Sequence, residues 1–433
     1  MRRFSVCLLV SLLIVGICSA QEKLTLEKSI QIALEQSPVM LKSKAEIEAA
    51  EGAAGQAVAD FLPQVSLKGN LGKYYSEPTT VQITITGVSS VFAIGIDEQA
   101  DTSSYSASLT QPLFKGGKLW KNLAMVGKGL EAAKEELRKI TQEVKFNVID
   151  SYYGVLKAQK FVELSQQSVN MAKRHLDRVN SLFKVGMSTR AEILRGEVQV
   201  AQSEIGLTKA KQGLEIAKNH FNNTLGRDLD AAVDLVEIDY DSREITVYDY
   251  KDLLEIAYED RPDWKQYVLA KKVSEDEVGV AYSGLWPRIS LIGNYDVGST
   301  KYSEFQSDTK TWTALLSGTW DIFDGTSTWY KIKESKAKLE AQKANEISVK
   351  RAIALFAVQS AKENVEGTQK TQELAKENFD IAELRYDSGV GTNLEVIDAQ
   401  VALTQARTDH LQAQHDLQIA KARINKIVGR EIY

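Results

Sequence analysis

The chain repeats its own motifs, and this repetition limits what it can fold into more than any other feature of the sequence. Pro38 and Pro63 recur as Pro262 and Pro287, each 224 positions later. Further matches follow at an offset of 209 in the middle of each copy and at 203 in its last third. An offset that is constant within blocks and changes between them indicates one internal plan with helices and loops of different length.

The repeat and the leader together predict four parts. Arg2 and Arg3, an apolar run and the small residues Cys18-Ser19-Ala20 are typical of a secretory signal peptide with its cleavage site. The predicted parts are a signal peptide at 1–20, a first structural repeat at 21–230, an equatorial linker at 231–246 and a second structural repeat at 247–433.

Composition points to a bacterial envelope. Removing the signal would remove both cysteines, Cys7 and Cys18, and would change the formal net charge from −5 to −7 because Arg2 and Arg3 leave with it. A secreted chain without cysteine is not a disulfide scaffold, and mild acidity argues against nucleic-acid binding. No run of about 20 apolar residues follows the signal, so any membrane span would have to be a β-strand.

Each repeat contains two segments with strand periodicity. In 311–322, Trp312, Leu316 and Trp320 alternate with polar residues. Residues 104–110 show the same period of two, and 289–296 show it with an interruption at Ile292. Four strands are predicted near 65–75, 104–114, 289–298 and 311–323. The alternation fits a soluble sheet with one face on a core, and it fits equally a membrane barrel with its apolar face toward lipid. The connection at 76–103 is predicted to be an external loop.

Long helices fill the proline-free stretches. Residues 117–184 would form a helix of about 100 Å, and the return at 190–225 one of about 54 Å. The second return helix keeps a strict 3-4 spacing in which large and small residues alternate. This favours close packing against neighbouring helices and leaves open an ordinary intramolecular coiled coil. Its heptad positions are Val396, Ala399, Leu403, Ala406, His410, Ala413, Leu417, Ala420, Ile424 and Ile427.

Two glycine-containing turns divide the helical stretches. Gly389 and Gly391 interrupt the second, Thr392 can cap the helix that follows, and Glu395 and Asp398 then share one helical face. Gly186, Thr189 and Glu192 lie 203 positions before Gly389, Thr392 and Glu395. These glycines could serve only the turns, and the two acids could be solvated surface charges.

These residues resemble the TolC-like outer membrane efflux protein family, the outer membrane factors. The likeness covers essentially the whole mature chain, from the Ala-Leu-Glu-x-x-Pro start at Ala33 to the segment Tyr386-x-x-Gly-x-x-Thr-x-x-Glu-x-x-Asp-Ala at 386–399. The implied fold is mainly α with a small β part: long antiparallel helical hairpins form a trimeric α-barrel, and four strands per protomer contribute to a shared 12-stranded transmembrane β-barrel.

The resemblance also implies roles for individual residues. Glu395, Asp398, Tyr386 and Glu192 match the positions of the family's periplasmic gate. The turns would dock a periplasmic adaptor protein through Val185, Gly186, Thr189, Gly389, Gly391 and Thr392. Gly391 stands where some members carry an arginine of the bridging network, so the resemblance does not imply that salt link here. Arg190 and Arg195 are the candidates for its replacement.

The implied function is that of an outer membrane channel-tunnel in a tripartite efflux or type I secretion system. It would be a passive homotrimeric conduit embedded in lipid and joined to an adaptor and an inner membrane pump. The alternative is a periplasmic coiled-coil structural or adaptor protein without a pore. The four histidines have no metal-ligand spacing, and no nucleophile motif or phosphate loop occurs. We therefore expect no catalytic residues, no cofactor and no metal site.

Overall fold

The structure is a computed structural model of the chain. It describes residues 23–76, 79–85, 88–94, 98–237, 250–301, 306–352 and 358–431. The predicted signal peptide and most of the predicted linker lie outside these residues. No helix among the described residues is both long enough and apolar enough to cross a membrane.

Helices account for most of the described chain. They are α1 (Leu26–Gln36), α2 (Pro38–Ala59), α3 (Lys118–Lys184), α4 (Arg190–Leu225), α5 (Tyr250–Asp260), α6 (Pro262–Tyr282), α7 (Ser327–Ala352), α8 (Val358–Asp387) and α9 (Asn393–Val428). A short 3-10 helix follows α6 at Ser283–Leu285. The sequence-based prediction of a long helix and its return is confirmed, since α3 has 67 residues and α4 has 36.

In the described ranges, the strands form one four-stranded antiparallel sheet and one separate hairpin. They are β1 (Gln64–Ser76), β2 (Thr79–Ile85), β3 (Val88–Ile94), β4 (Glu98–Lys115), β5 (Arg288–Lys301) and β6 (Gln306–Thr319). The sheet has the order β1-β4-β5-β6, so that each repeat supplies two neighbouring strands. All four predicted strands are confirmed.

The predicted external loop at 76–103 contains regular structure, so its prediction as a loop was wrong in detail. β2 and β3 pair as an antiparallel hairpin, with Thr79 opposite Ile94, and β4 already begins at Glu98. The segment Val81-Gln82-Ile83-Thr84-Ile85 alternates β-branched apolar with polar residues, which favours a strand. Part of the predicted loop therefore forms a β-hairpin.

The residues group into two compact units. One comprises Ser43–Arg138 and Pro262–Ile353, and it holds the sheet. Its helices α3 and α6 are joined by a buried acid: Asp276 accepts a hydrogen bond from Lys121 Nζ at 2.9 Å and a second from Lys128. The Asp276 side chain is only 8% exposed, so its charge is compensated inside the unit.

The other unit comprises Met1–Lys42, Lys139–Arg261 and Ala354–Tyr433, and it holds both helical turns. Its core follows the predicted heptad of α9, where Val396, Ala399, Leu403 and Ala406 are buried. The cluster nearest the turns joins α3, α4, α8 and α9 through Val179, Ile193, Phe379, Ala382, Tyr386, Val396, Ala399 and Leu403. Packing between distant parts of the chain therefore positions the candidate site.

Candidate functional site

The two turns have the same backbone design. We call residues 184–190 the first hairpin end and residues 387–393 the second hairpin end. Gly186 has φ +78° and Gly389 has φ +72°, a left-handed conformation in which a side chain would be strained. The caps that follow also match, with φ/ψ of −107°/158° at Thr189 and −107°/152° at Thr392.

Each cap threonine accepts a hydrogen bond from the acid three residues later. The Glu192 backbone N–H donates to Thr189 Oγ1 at 3.3 Å, and the Glu395 N–H donates to Thr392 Oγ1 at 3.2 Å. Glu192 completes a capping box, because its Oε2 accepts from the Thr189 N–H at 3.1 Å and also from the Ser188 hydroxyl. The Glu395 side chain instead extends toward α8.

Tyr386 lies in the core directly beneath these caps. Its side chain is 8% exposed, and its ring centroid is 5.4 Å from that of His175. Burial raises the pKa of the Tyr386 phenol above its ordinary value, and the charge of Glu192 raises it further, although a hydrogen bond with Ser188 opposes both. The phenol is therefore protonated.

A buried chain of polar contacts links the helices at this level. His175 Nε2 is 2.6 Å from Asn393 Oδ1, and Asn393 Nδ2 donates to the Glu192 carbonyl oxygen at 3.2 Å. Because the Asn393 amide nitrogen is used toward Glu192, its oxygen accepts and His175 Nε2 carries the proton. Asn393 is 1% exposed, so these bonds hold the start of α9 against both α3 and α4.

Two ion pairs surround this buried chain. Arg178 on α3 pairs with Asp387 at the end of α8, with Arg178 Nη2 2.5 Å from Asp387 Oδ2. Arg385, next to Tyr386 in sequence, pairs with Glu395 across the second hairpin end, at 3.7 Å from Nε to Oε2. Both side chains of the second pair are about half exposed, so solvent weakens it.

The structure brings together three of the four predicted gate residues. Tyr386 and Glu192 meet at Ser188, and Glu395 contacts Arg385 beside Tyr386. Asp398 lies one helical turn further along α9 and is exposed, without a hydrogen-bond or ion-pair partner in the described part of the chain. Asp398 can therefore face solvent or another chain.

The residues predicted for docking lie at the ends of the two hairpins. Val185 and the neighbouring Met187 are 68% and 71% exposed, and Val390 is 71% exposed. Gly391 has no room for a side chain, since a Cβ there would lie 2.9 Å from the Tyr386 nitrogen. The remaining predicted docking residues, Gly186, Thr189, Gly389 and Thr392, form the two turns and their caps.

Several residues of this site were not among the sequence-based predictions. Arg385 was the most accessible to prediction, because it directly precedes Tyr386 and lies ten positions before Glu395. Arg190 and Arg195, the candidates to replace the family's bridging arginine, have no ion-pair partner among the described residues. His175, Arg178 and Asn393 carry no local signal, because their partners are distant in sequence.

The four-stranded sheet exposes its apolar face. Leu67, Leu71 and Trp312 are 81%, 77% and 77% exposed, although they alternate with polar residues as a core face would. On the opposite face, Ser66 and Ser108 share a hydrogen bond at 2.7 Å. No described part of the chain covers this apolar face.

The site offers hydrogen bonds, ion pairs and an exposed apolar surface. Among the residues that the structure describes, no group of His, Cys, Asp and Glu side chains could hold a metal ion. The arrangement can hold two helical hairpins together and present their ends to a partner.

Comparison with known proteins gives a match along almost all of the described chain. The family model described as "Outer membrane efflux protein" matches residues 29–227 and 253–430. The two matched segments correspond closely to the two predicted repeats.

Individual relatives are distant in sequence but similar in length and fold. The cobalt-zinc-cadmium resistance protein CzcC of Cupriavidus metallidurans is 22% identical over 77% of this chain and 79% of its own. The alkaline protease secretion protein AprF of Pseudomonas aeruginosa is 22% identical over 92% and 83%. The crystal structure of the Campylobacter jejuni CmeC outer membrane channel superposes with a TM-score of 0.78 at 17% identity, over 93% of this chain and 85% of that one.

Proposed function

Because the chain belongs to the outer membrane efflux protein family, we propose that it is the passive outer membrane conduit of a tripartite efflux or type I secretion assembly. Its place is the outer membrane of a Gram-negative bacterium, with its helices in the periplasm. The relatives named for metal resistance and for protease secretion support a conduit whose cargo is chosen by its partners. Family membership favours this over a coiled-coil protein without a pore.

The observation that carries the proposal is the sheet with an exposed apolar face. A lipid bilayer would cover such a face. An unpaired strand edge is not stable in the hydrocarbon core of a bilayer, because its backbone N–H and C=O groups find no hydrogen-bond partners there. Four strands cannot close on themselves, so we propose that three copies share one 12-stranded barrel. Closure would pair the free edge of β1 with that of β6 in the neighbouring copy.

We propose Glu395 and Asp398 as the constriction of the periplasmic entrance, with Tyr386 and Glu192 holding it closed. Threefold symmetry would turn the two acids into two stacked rings of three carboxylates. Such rings attract cations and bind divalent ions. The exposed, unpartnered Asp398 supports this role.

The test is planar-bilayer recording of the purified protein. We expect a cation-preferring channel that divalent ions block from the periplasmic side, and Glu395→Gln with Asp398→Asn should weaken both properties. Glu197→Gln, an exposed acid on α4, is the control and should change neither. An unaltered reversal potential and block in the double variant would show that these residues are not the gate, and absence of any conductance would contradict the conduit itself.

We also propose that both hairpin ends dock a periplasmic adaptor connected to an inner membrane pump. The support is their exposure together with glycines that keep the backbone accessible. Replacing Gly186 and Gly389 with bulky residues would add side chains and strain both turns, so the variant must first be shown to retain its trimer yield. Loss of export with intact trimers is the expected result, and unchanged export would count against docking.

A further inference from the structure

The two hairpin ends share one backbone geometry but differ in charge. We propose that the first hairpin end binds carboxylates of the incoming partner, whereas the second hairpin end contributes a neutral, apolar surface. This inference rests on the proposed function, because it specifies the chemistry of the partner that docks there. The partner is a periplasmic protein whose helical hairpin carries acidic side chains beside its turn.

Matched positions of the two ends carry the difference. Lys184 corresponds to Asp387 and Arg190 to Asn393, each at the offset of 203. Asp387 is neutralised by Arg178, and Asn393 is buried in its bond with His175. In the second hairpin end both positions are therefore already used within the chain.

In the first hairpin end both positions remain available. Lys184 and Arg190 are exposed, and neither has a hydrogen-bond or ion-pair partner in the described ranges. The nearest acid in sequence, Glu192, is engaged by Ser188 and by the Thr189 N–H in the capping box. Arg190 is also the first residue of α4, where the helix dipole disfavours a cation. A carboxylate beside Arg190 would relieve that unfavourable interaction.

The position of the exposed apolar residues indicates how the partner approaches. Val185, Met187 and Val390 are about 70% exposed and lie at the turns themselves. A second copy of this chain has apolar surface available along the sides of the hairpins, at residues such as Ile205 on α4 and Ile381 on α8. The turns therefore remain for a different protein that meets the hairpins end-on.

The test is photo-crosslinking in the native host. A photoreactive amino acid replaces Met187 in one strain and Val390 in another, and the captured peptide is identified by mass spectrometry. We expect the Met187 strain to capture a helical hairpin segment with Asp or Glu beside its turn. The variant Lys184→Glu/Arg190→Glu should reduce capture at least tenfold, and exchanging the captured acids for Lys should restore it.

A matched control distinguishes the effect of charge at the first hairpin end from the effect of the net charge of the protein. Lys211→Glu/Lys376→Glu makes the same change in net charge at exposed sites away from the turns, and it should leave capture unchanged. Capture of a second copy of this chain, capture of a segment without acids, or equal capture by both double variants would overturn the inference. Bilayer conductance of the same variants keeps the two proposals apart: conduction without charge-dependent capture refutes only the docking chemistry.

Discussion

Tyr386 shows how one residue can hold two hairpins together. Its ring packs in the cluster shared by four helices, while its hydroxyl contacts Ser188 of the first hairpin end. Its neighbours His175 and Asn393 add a second buried connection of a different kind. Packing and hydrogen bonding at Tyr386 can therefore be separated by substitution.

We expect Tyr386→Phe to keep the packing and lose the bond with Ser188, which should cost about 0.5–1.5 kcal/mol. Tyr386→Ala should cost roughly 3–5 kcal/mol because it also leaves a cavity. Denaturant unfolding measures both, and amide hydrogen exchange at 184–190 should quicken in each variant. Tyr330→Phe, at an exposed tyrosine, is the control. Equal decreases in the free energy of unfolding for Tyr386→Phe and Tyr386→Ala would show that packing of the ring contributes nothing to stability.

Asp276 makes the stability of its unit depend on pH. Burial disfavours the charged form, but hydrogen bonds and charge from Lys128 and Lys121 outweigh it and hold the Asp276 pKa below its ordinary value. A lowered folded-state pKa stabilises the protein above the unfolded-state pKa, and this stabilisation is lost as the pH falls through the folded-state value.

Asp276→Asn should therefore lower the free energy of unfolding at pH 7 by roughly 1–2 kcal/mol. Breaking a buried ion pair usually costs more, but Lys121 is half exposed and can be solvated when its partner is removed. The difference in free energy of unfolding between parent and variant should become smaller below about pH 4. Denaturant unfolding at pH 7 and pH 3 tests this, with Glu334→Gln in an exposed pair as the control. An equal difference in free energy of unfolding at both pH values would show that ionisation of Asp276 does not cause the loss of stability.

At the scale of elements, α4 has two apolar faces. One carries the residues buried against the rest of its own unit, among them Ile193 and Ala210. The opposite face exposes Val198, Ile205 and Ile216, at 56%, 57% and 69%. A helix with a second apolar stripe usually buries it against another chain.

We expect this stripe to contact the neighbouring copy. Ile205→Glu should lower the yield of trimers several-fold, because each copy would lose about 1.5–3 kcal/mol of hydrophobic stabilisation. Lys211→Glu introduces the same residue on the same helix away from the stripe, and it should not change assembly. Size-exclusion chromatography with light scattering in detergent measures the oligomer, and equal trimer yields would refute the role of the stripe.

At the scale of the whole molecule, the two-repeat organisation remains a prediction with structural support. Gly226 and Gly429, which end α4 and α9, occupy matched surroundings. A Cβ on Gly226 would lie 2.9 Å from the Gln36 carbonyl oxygen, and one on Gly429 would lie 2.8 Å from that of Asp260. In each case a glycine fits against the junction of two helices joined near a proline.

We expect three copies to form a detergent-stable assembly, because the four strands of one copy leave two free sheet edges. Chemical cross-linking in native membranes should give a trimer as the largest specific product. Native mass spectrometry of the purified protein should give three times the mature mass. Detection of monomers and dimers alone by both methods would contradict this arrangement.

The sequence alone determined most elements of this protein, because each of these has a local period or break, but it did not show the β2–β3 hairpin inside the predicted loop. Alternation with a period of two placed the strands, 3-4 spacing placed the core face of α9, and glycine with a following threonine placed both turns. The acids at Glu395 and Asp398 were likewise visible as neighbours on one helical face.

Only the tertiary structure decided which side chains meet. His175 contacts Asn393, which lies 218 positions away in sequence. Arg178 pairs with Asp387, which is more than 200 positions away. Whether such pairs form depends on how far each helix is rotated and shifted against the next, and no local pattern records this. Arg190 and Arg195 were candidates that no local pattern could test. The structure shows that Arg385 lies across the turn from Glu395 and pairs with it.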